Sequence, residues 1–200
     1  MEFKYDGKVL KFDKVASELD KLVMDFVRLL EHAKIDYVIV SGYVAILLGR
    51  SRTTEDIDLF IRRISHENLE NLFDLLVKNG YWIIDSESVD DMFDRLQDAL
   101  SIRIAKEGTV VPNFEVKFAK KSTDFLSLNR PLEVIVNGTR LLTSPLEVQI
   151  PFKIWLGSEK DVEDAMHVYT LFKNKLDKEL MRSVSKELKV EGEMVKYGIV

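Results

Sequence analysis

The sequence predicts an α+β fold, in which a mixed β-sheet with flanking helices is followed by a helical C-terminal third. Three observations carry this prediction. Apolar residues recur at helical spacing from Val15 to Ala33. Short strand-like segments, among them 37–40, 56–61 and 113–118, are bounded by turn residues. From Ser144 onward, helical patterns follow one another and no further strand is indicated.

The elements follow in order along the chain. After the first helix, a strand at 37–40 is interrupted by Ser41-Gly42, and a short apolar helix at 43–48 stops at Gly49. Asn137-Gly138 predicts a hairpin turn, and Ser144-Pro145-Leu146-Glu147 predicts a capping box with proline at the first helical position. The other predicted strands are 56–61, 81–84, 101–105, 113–118, 132–136 and 139–142; the other predicted helices are one capped by Ser65 and closed by Asn79-Gly80, and 89–100, 144–156, 159–172 and 177–188. We therefore expect a core at 1–142 and a helical extension at 143–200 that packs on it.

Composition limits the class of protein. Two hundred residues suit one domain, and a hydrophobic fraction of 46% is enough for a core. The net charge of −5 argues against nonspecific nucleic-acid binding, and the absence of cysteine excludes disulfides, structural zinc and thiol catalysis. The charged N-terminus lacks a signal-peptide core, and no apolar run approaches the ~20 residues of a membrane span. We expect a cytoplasmic protein without a membrane partner.

Asp56 and Asp58 are the most informative residues of the chain. In a strand, residues two apart point to the same face, so the two carboxylates share one face with roughly 7 Å between their Cα atoms. Ile57, Leu59 and Ile61 point to the other face and indicate a central strand. Neighbouring carboxylates repel each other and are tolerated mainly where a cation lies between them. Their hard oxygen atoms suit Mg²⁺ or Mn²⁺.

Ser41-Gly42 precedes these acids by about a dozen residues. The pair places backbone N–H groups at the beginning of a helix, where phosphate binds through free donors and the helix dipole. A side chain larger than serine at these positions would keep phosphate oxygens away from the backbone. An anion site beside a cation site is what phosphoryl or nucleotidyl transfer requires. The alternative is a plain strand-to-helix turn.

These motifs resemble those of the nucleotidyltransferase superfamily, the polymerase-β-like fold. Its signature is a Gly-Gly or Gly-Ser pair that opens a helix, then an Asp-x-Asp or Asp-x-Glu strand and a third carboxylate on a later strand; here Ser41-Gly42, Asp56 and Asp58 take these places. The context 49–58 is similar to the small bacterial and archaeal branch, which includes minimal and toxin-type enzymes. The stretch 153–164 resembles the Lys…Lys/Arg-Asp-x-x-Asp segment of the toxin-like families, so the resemblance spans roughly residues 35–172.

The resemblance implies further site residues. Glu115 is the candidate third carboxylate, which would ligate a second metal and help to deprotonate the attacking hydroxyl; the alternative is a cross-strand ion pair with Arg103. Asp124, expected in a polar turn, is a weaker rival. Arg52, Thr54 and Lys153 are candidates to contact the triphosphate, and Asp161 is a candidate to orient Lys153 or the base.

The alternative for Arg52 and Thr54 is an ordinary surface loop. For Lys153 it is an amphipathic side chain on a helix face, and for Asp161 it is a partner of the helix dipole. Trp82 and Trp155 are expected in the core.

The leading hypothesis is an enzyme that moves a nucleoside monophosphate from an NTP to an acceptor hydroxyl with Mg²⁺ or Mn²⁺, and Asp56, Asp58 and Glu115 as its catalytic acids. The acceptor is a protein, a tRNA or a small molecule. One alternative is a catalytically silent module that keeps the fold and only binds. Another is a component of a toxin–antitoxin pair with a cognate antitoxin-like partner. A Rossmann-type enzyme is disfavoured because no G-x-G-x-x-G follows a strand.

Overall fold

The computed structural model describes residues 1–199, whose strands form one mixed sheet with helices on both sides. The strands are β1 (Lys4–Tyr5), β2 (Val9–Phe12), β3 (Tyr37–Val40), β4 (Asp56–Ile61), β5 (Tyr81–Ile83), β6 (Ile102–Lys106), β7 (Asn113–Phe118), β8 (Leu132–Val136) and β9 (Thr139–Thr143). The helices are α1 (Glu18–His32), α2 (Gly42–Leu47), α3 (His66–Lys78), α4 (Val89–Gln97), α5 (Ser122–Asn129), α6 (Leu146–Leu156), α7 (Glu159–Phe172), α8 (Lys178–Leu188) and α9 (Glu191–Lys196). The predicted α+β class is confirmed.

The strand order is β1-β2-β8-β9-β3-β4-β7-β6-β5, so β4 lies inside the sheet. It pairs antiparallel with β3 and parallel with β7, while β6 is antiparallel to β7 and β5. Because paired residues of neighbouring strands point to the same face, this order decides which side chains of distant segments meet.

One face of the sheet carries the main hydrophobic core. Ile57, Leu59 and Ile61 of β4 are fully buried on this face, which α1, α3 and α4 help to cover. The ring of Phe26 in α1 stacks on Phe114 of β7, with 3.7 Å between centroids. α1 is capped at its N-terminus by Ser17, which forms a capping box with Asp20. The predicted central position of the acidic strand is confirmed by this burial.

The opposite face is only partly covered. Val38, Val40 and Phe60 form a small cluster with Ala119 and Leu128, and α5 packs over this part of β3 and β4. Beside this cluster, the same face carries the polar residues of β4, β7 and β6. α6 packs against α7 and α8, and α7 also contacts α2. The open part of this face is where Asp56, Asp58 and Glu115 lie.

Several predicted details are wrong or missed. The proposed capping box at the beginning of α6 is absent, because Ser144 Oγ shares a hydrogen bond with Ser127 and Glu147 accepts one from the backbone of Asp177. The short strands β1 and β2 and the helices α5 and α9 were not predicted, since each is too short for a clear periodic pattern.

The two tryptophans are not in the core. Trp82 is 37% exposed and Trp155 is 45% exposed. The indole N–H of Trp82 donates to the backbone oxygen of Thr109. Trp155 stacks on Phe152, and Lys121 Nζ lies 4.7 Å from the centroid of its ring, so both tryptophans are held at the surface by local contacts. Among residues 1–199, no helix has both the length and the apolar composition needed to cross a bilayer.

Candidate active site

Asp56, Asp58 and Glu115 lie on the open face of the sheet. In β4 the two aspartates are half-buried, while Ile57 and Leu59 next to them are fully buried, so both carboxylates point away from the core. Asp58 is the direct partner of Glu115 across the parallel β4–β7 pair, which places their Cα atoms about 4.8 Å apart. The end of β3 is on the other side, where Val40 pairs with Asp58. The three acids are therefore neighbours on one face of the sheet, close to the end of β3.

A lysine that the prediction left aside joins two of these acids. Lys117 Nζ lies 3.0 Å from Glu115 Oε2 and 3.4 Å from Asp58 Oδ1. Arg103 of β6 is the register partner of Glu115, and its Nε is 3.8 Å from Glu115 Oε1. The cross-strand pair with Arg103 is thus present, but the closer cation is Lys117. The signal was in the sequence, since Glu115 and Lys117 are two apart in one strand.

The pKa values of Asp58 and Lys117 are both shifted by this arrangement of charges. Burial raises the pKa of the Asp58 carboxyl, and the negative charges of Asp56 and Glu115 raise it further, while Lys117 opposes them. For Lys117, burial alone would lower the pKa, but Asp58 and Glu115 outweigh it and raise the pKa of the ammonium group. The site therefore favours a nearby cation, which here the protein itself supplies.

The donor set suits a divalent cation, but the present side-chain arrangement does not form a ready metal site. Three hard carboxylates share one face, and a cation already lies between two of them, which shows that this position favours positive charge. Within residues 1–199, no group of three or more acids or histidines converges closely enough to hold a metal as the side chains stand. The donor chemistry therefore suits a metal, and Lys117 lies between two of the donors.

Asp56 is oriented by the loop that precedes β4. Thr54 Oγ1 donates to the backbone oxygen of Asp56 at 2.9 Å, and it lies 3.2 Å from Asp56 Oδ1. The hydroxyl of Thr54 is thus engaged with the first acid of the strand. In this structure Thr54 positions Asp56, a contact that the sequence prediction did not include.

Ser41 has a strained backbone that a distant side chain holds in place. Its φ of 62° and ψ of −131° fall in a region that is almost confined to glycine. Gln149 of α6 holds both backbone groups: Ser41 N–H donates to Gln149 Oε1 at 3.1 Å, and Gln149 Nε2 donates to Ser41 O at 2.6 Å. The strained turn at the beginning of α2 therefore depends on α6. No local sequence signal pointed to Gln149.

Gly42 makes room for an arginine. A Cβ atom at Gly42 would lie 2.5 Å from Arg52 Nη2, so the missing side chain is what allows the guanidinium group to approach the beginning of α2. Asp164 of α7 holds Arg52 in a two-point contact, with Nε–Oδ1 at 3.0 Å and Nη2–Oδ2 at 2.9 Å. The sequence interpretation assigned this space to a phosphate, whereas the structure places a cationic side chain there.

Lys153 is paired within the helical part of the chain. Its Nζ lies 2.6 Å from Asp161 Oδ1 and 3.1 Å from Asp164 Oδ2, and its side chain is only 2% exposed. Ser158 Oγ also donates to Asp161, and despite burial, these hydrogen bonds lower the pKa of the Asp161 carboxyl. Asp164 thus joins Arg52 and Lys153, so these two predicted residues belong to one network that reaches the beginning of α2.

Asp124, the weaker rival for the third carboxylate, has a different position and contacts. It lies in the first turn of α5 rather than in a polar turn, and its Oδ2 accepts hydrogen bonds from the backbone N–H groups of Lys120 and Lys121. It caps the helix, while Glu115 is the acid beside Asp58.

Comparisons with known proteins agree with this fold. No protein-family model matches the chain, and no curated protein matches it by sequence. Among solved structures, the chain is similar to an antigenic nucleotidyltransferase-like protein from Paracoccidioides brasiliensis, with 20% identity, a TM-score of 0.52, and coverage of 90% of this chain and 91% of the other. It is also similar to ANT(2")-Ia in complex with adenylyl-2"-tobramycin, with 12% identity, a TM-score of 0.59, and coverage of 88% and 99%.

These matches define the fold. The chain has the nucleotidyltransferase-like fold that its sequence predicted, and it spans nearly the whole length of both structures. A solution structure of ANT(2'')-Ia, described as an antibiotic-resistance factor, gives a TM-score of 0.54 at 11% identity. At these identities the likeness concerns the backbone, so the chemistry has to be argued from the side chains of this chain.

Proposed function

We propose that the protein is a metal-dependent nucleotidyltransferase, which moves a nucleoside monophosphate from an NTP to an acceptor hydroxyl. One observation carries the proposal: Asp58 and Glu115 are register partners on neighbouring strands, and Asp56 lies on the same face beside the beginning of α2. The nucleotidyltransferase-like fold of the whole chain supports the same conclusion.

The acids and the threonine beside them have distinct roles in this proposal. Asp56, Asp58 and Glu115 hold the metal, and Glu115 assists in deprotonating the acceptor hydroxyl. A pair of Mg²⁺ or Mn²⁺ ions held by these residues would neutralise the polyphosphate and lower the pKa of the attacking hydroxyl. Thr54 keeps Asp56 oriented through its hydroxyl.

Arg52 and Lys153 provide positive charge for the triphosphate. Both contact Asp164, so the network holds two cations near the strained turn at Ser41-Gly42. Asp161 orients Lys153 through the 2.6 Å contact. Electrostatic positioning of this kind is the main contribution of a protein to phosphoryl and nucleotidyl transfer.

The acceptor class is open among a protein, a tRNA and a small molecule. One structural neighbour, ANT(2")-Ia, is seen in complex with adenylyl-2"-tobramycin, an adenylylated antibiotic and therefore a modified small molecule. For this chain, each of the three acceptor classes is tested separately. A cognate antitoxin-like partner stays a prediction.

The test uses the purified protein, each of the four NTPs labelled at the α-phosphate, and Mg²⁺. The acceptor arms are the protein itself, bulk tRNA and a cell extract of small molecules, with products read by mass spectrometry. We expect label transfer to one acceptor class, and loss of both transfer and metal-dependent NTP binding in Asp58→Ala. Asp36→Asn is the matched control, because Asp36 is an exposed acid that pairs with Arg62 outside the site. Wild-type protein that binds no NTP with Mg²⁺ by calorimetry contradicts the proposal.

A second candidate is the catalytically silent module. The observation that favours it is that the chain's own cations occupy both predicted ligand positions, Lys117 between the acids and Arg52 beside Gly42. If Lys117 replaces the metal permanently, NTP binding is independent of Mg²⁺ and no acceptor is labelled. The same two measurements therefore separate the candidates.

A further inference from the structure

We propose that Lys117 is an exchangeable internal cation. In the metal-free protein its ammonium group holds Asp58 and Glu115 together, and it leaves when a divalent cation is bound by the same two carboxylates. The inference rests on the proposed function, because it concerns the metal site of that activity. It assigns to Lys117 a positioning role that sets the affinity of the site for metal.

The first argument is that lysine and metal require the same oxygen atoms. Lys117 Nζ contacts Glu115 Oε2 at 3.0 Å and Asp58 Oδ1 at 3.4 Å. A divalent cation that both carboxylates ligate would lie within a few ångströms of this ammonium group. Two cations at that separation repel each other, and the half-buried position weakens solvent screening. Occupation by one therefore excludes the other.

The second argument is that Lys117 neutralises the site incompletely. Its contacts reach two of the three acids, and among residues 1–199 Asp56 has no ion pair. Arg103 adds only a 3.8 Å contact to Glu115. Three carboxylates on one face therefore retain an excess of negative charge, which a doubly charged ion compensates better than a single ammonium group.

The third argument is a comparison of the two lysines that bridge paired acids. The side chain of Lys153 is 2% exposed, and it stays between Asp161 and Asp164 in the interior. Lys117 is 33% exposed on the open face of the sheet, so its flexible stem can turn toward solvent without creating a cavity. Lys153 is thus held in place between its two acids, whereas Lys117 can turn away from its own.

The measurement is Mn²⁺ binding, read by electron paramagnetic resonance of the free ion, together with thermal unfolding with and without Mn²⁺. The variants are Lys117→Met and, as matched control, Lys106→Met. Lys106 lies on the neighbouring strand β6 but on the opposite face, where its Nζ is 3.8 Å from the ring centroid of Tyr81. Asp58→Asn shows whether bound Mn²⁺ is at the site.

Lys117→Met is expected to lower the melting temperature of the metal-free protein and to tighten Mn²⁺ binding by about tenfold, since one competing charge is removed. The gain in melting temperature on adding Mn²⁺ is expected to exceed that of the wild type. Lys106→Met is expected to leave Mn²⁺ affinity unchanged. Lys117→Arg, which keeps the charge, is expected to bind Mn²⁺ no more tightly than the wild type.

A second measurement needs no variant and remains decisive if Lys117→Met does not fold. The wild-type protein is acetylated briefly at constant pH, with and without saturating Mn²⁺, and each lysine is quantified by mass spectrometry. Exchange predicts that labelling of Lys117 rises several-fold with Mn²⁺, because its ammonium group has left the carboxylates, while Lys106 is unchanged.

The outcomes separate this inference from the proposed function. If the wild type binds Mn²⁺ through Asp58 but Lys117→Met binds it no more tightly, or labelling of Lys117 does not rise, the exchange is refuted and the proposed function stands. If neither the wild type nor Lys117→Met binds Mn²⁺, both are refuted.

Discussion

Gly42 leaves room for the guanidinium group of Arg52 at the beginning of α2, and Gly42→Ala tests this contact directly. The added Cβ would lie 2.5 Å from Arg52 Nη2, which is far closer than a non-bonded contact allows. The backbone of Gly42 has no positive φ, so alanine is compatible with its conformation. The cost of the substitution therefore comes from the displaced arginine.

The magnitude follows from the contacts that Arg52 loses. Its two hydrogen bonds to Asp164, at 3.0 and 2.9 Å, are charge-assisted, and hydrogen bonds to charged groups contribute about 1.5–3 kcal/mol each. Asp164 keeps Lys153 at 3.1 Å, so it is not left unpaired. Alanine in a helix is favoured over glycine by about 0.5–1 kcal/mol, which offsets part of the loss. Because the guanidinium group is the end of a flexible side chain and can shift, we take the lower end of the range for the two bonds, about 3 kcal/mol in total. After the helix contribution, we expect a net destabilisation of roughly 2 kcal/mol, or about 4–8 °C in melting temperature.

The assay is urea unfolding of a double-mutant cycle that combines Gly42→Ala with Arg52→Ala. Because Arg52→Ala removes the atom that clashes, Gly42→Ala should stabilise slightly in that background, which gives a coupling energy of about 3 kcal/mol. Gly192→Ala in α9 is the matched control, since nothing lies within 4 Å of a Cβ there, and it should stabilise slightly. An equal cost of Gly42→Ala in both backgrounds would refute the reasoning.

Two further predictions concern the same region. Ser41→Gly relieves a backbone conformation of φ 62° and ψ −131° and should stabilise the protein by about 1 kcal/mol in urea unfolding, after the entropy cost of glycine; Ser41→Ala, which keeps the Cβ, should show no such gain. Asp161→Asn should cost about 2 kcal/mol at pH 7 through the lost charged contact to Lys153. Because the folded pKa of Asp161 is lowered, its stabilisation is present above the ordinary aspartate range and is lost as the pH falls through the folded pKa. Melting temperatures of wild type and variant should therefore converge in acid, and a gap independent of pH would contradict the assignment.

Much of the local structure was predictable because neighbouring residues determine it. The bounds of β3, β4 and β7 were predicted to the residue from alternation and turn signals. Those of α7 were predicted as part of the helical pattern that follows Ser144. The prediction of a capping box at Ser144 was wrong because distant residues, rather than neighbouring ones, determine the structure there. The hydroxyl and carboxylate that match the motif are used by distant partners, Ser127 and the backbone of Asp177.

The candidate site divides in the same way. The pairs Asp56–Asp58 and Glu115–Lys117 each share a face because two-residue spacing in a strand requires it, and the sequence by itself determined this. Only the tertiary structure decided that β7 pairs with β4 so that Asp58 meets Glu115, that Lys117 bridges them, and that Gln149, 108 residues away, holds Ser41. The physical reason is the distance along the chain over which each effect acts. Side-chain periodicity acts over a few residues, whereas register and packing between distant segments are set by how the whole core minimises its free energy.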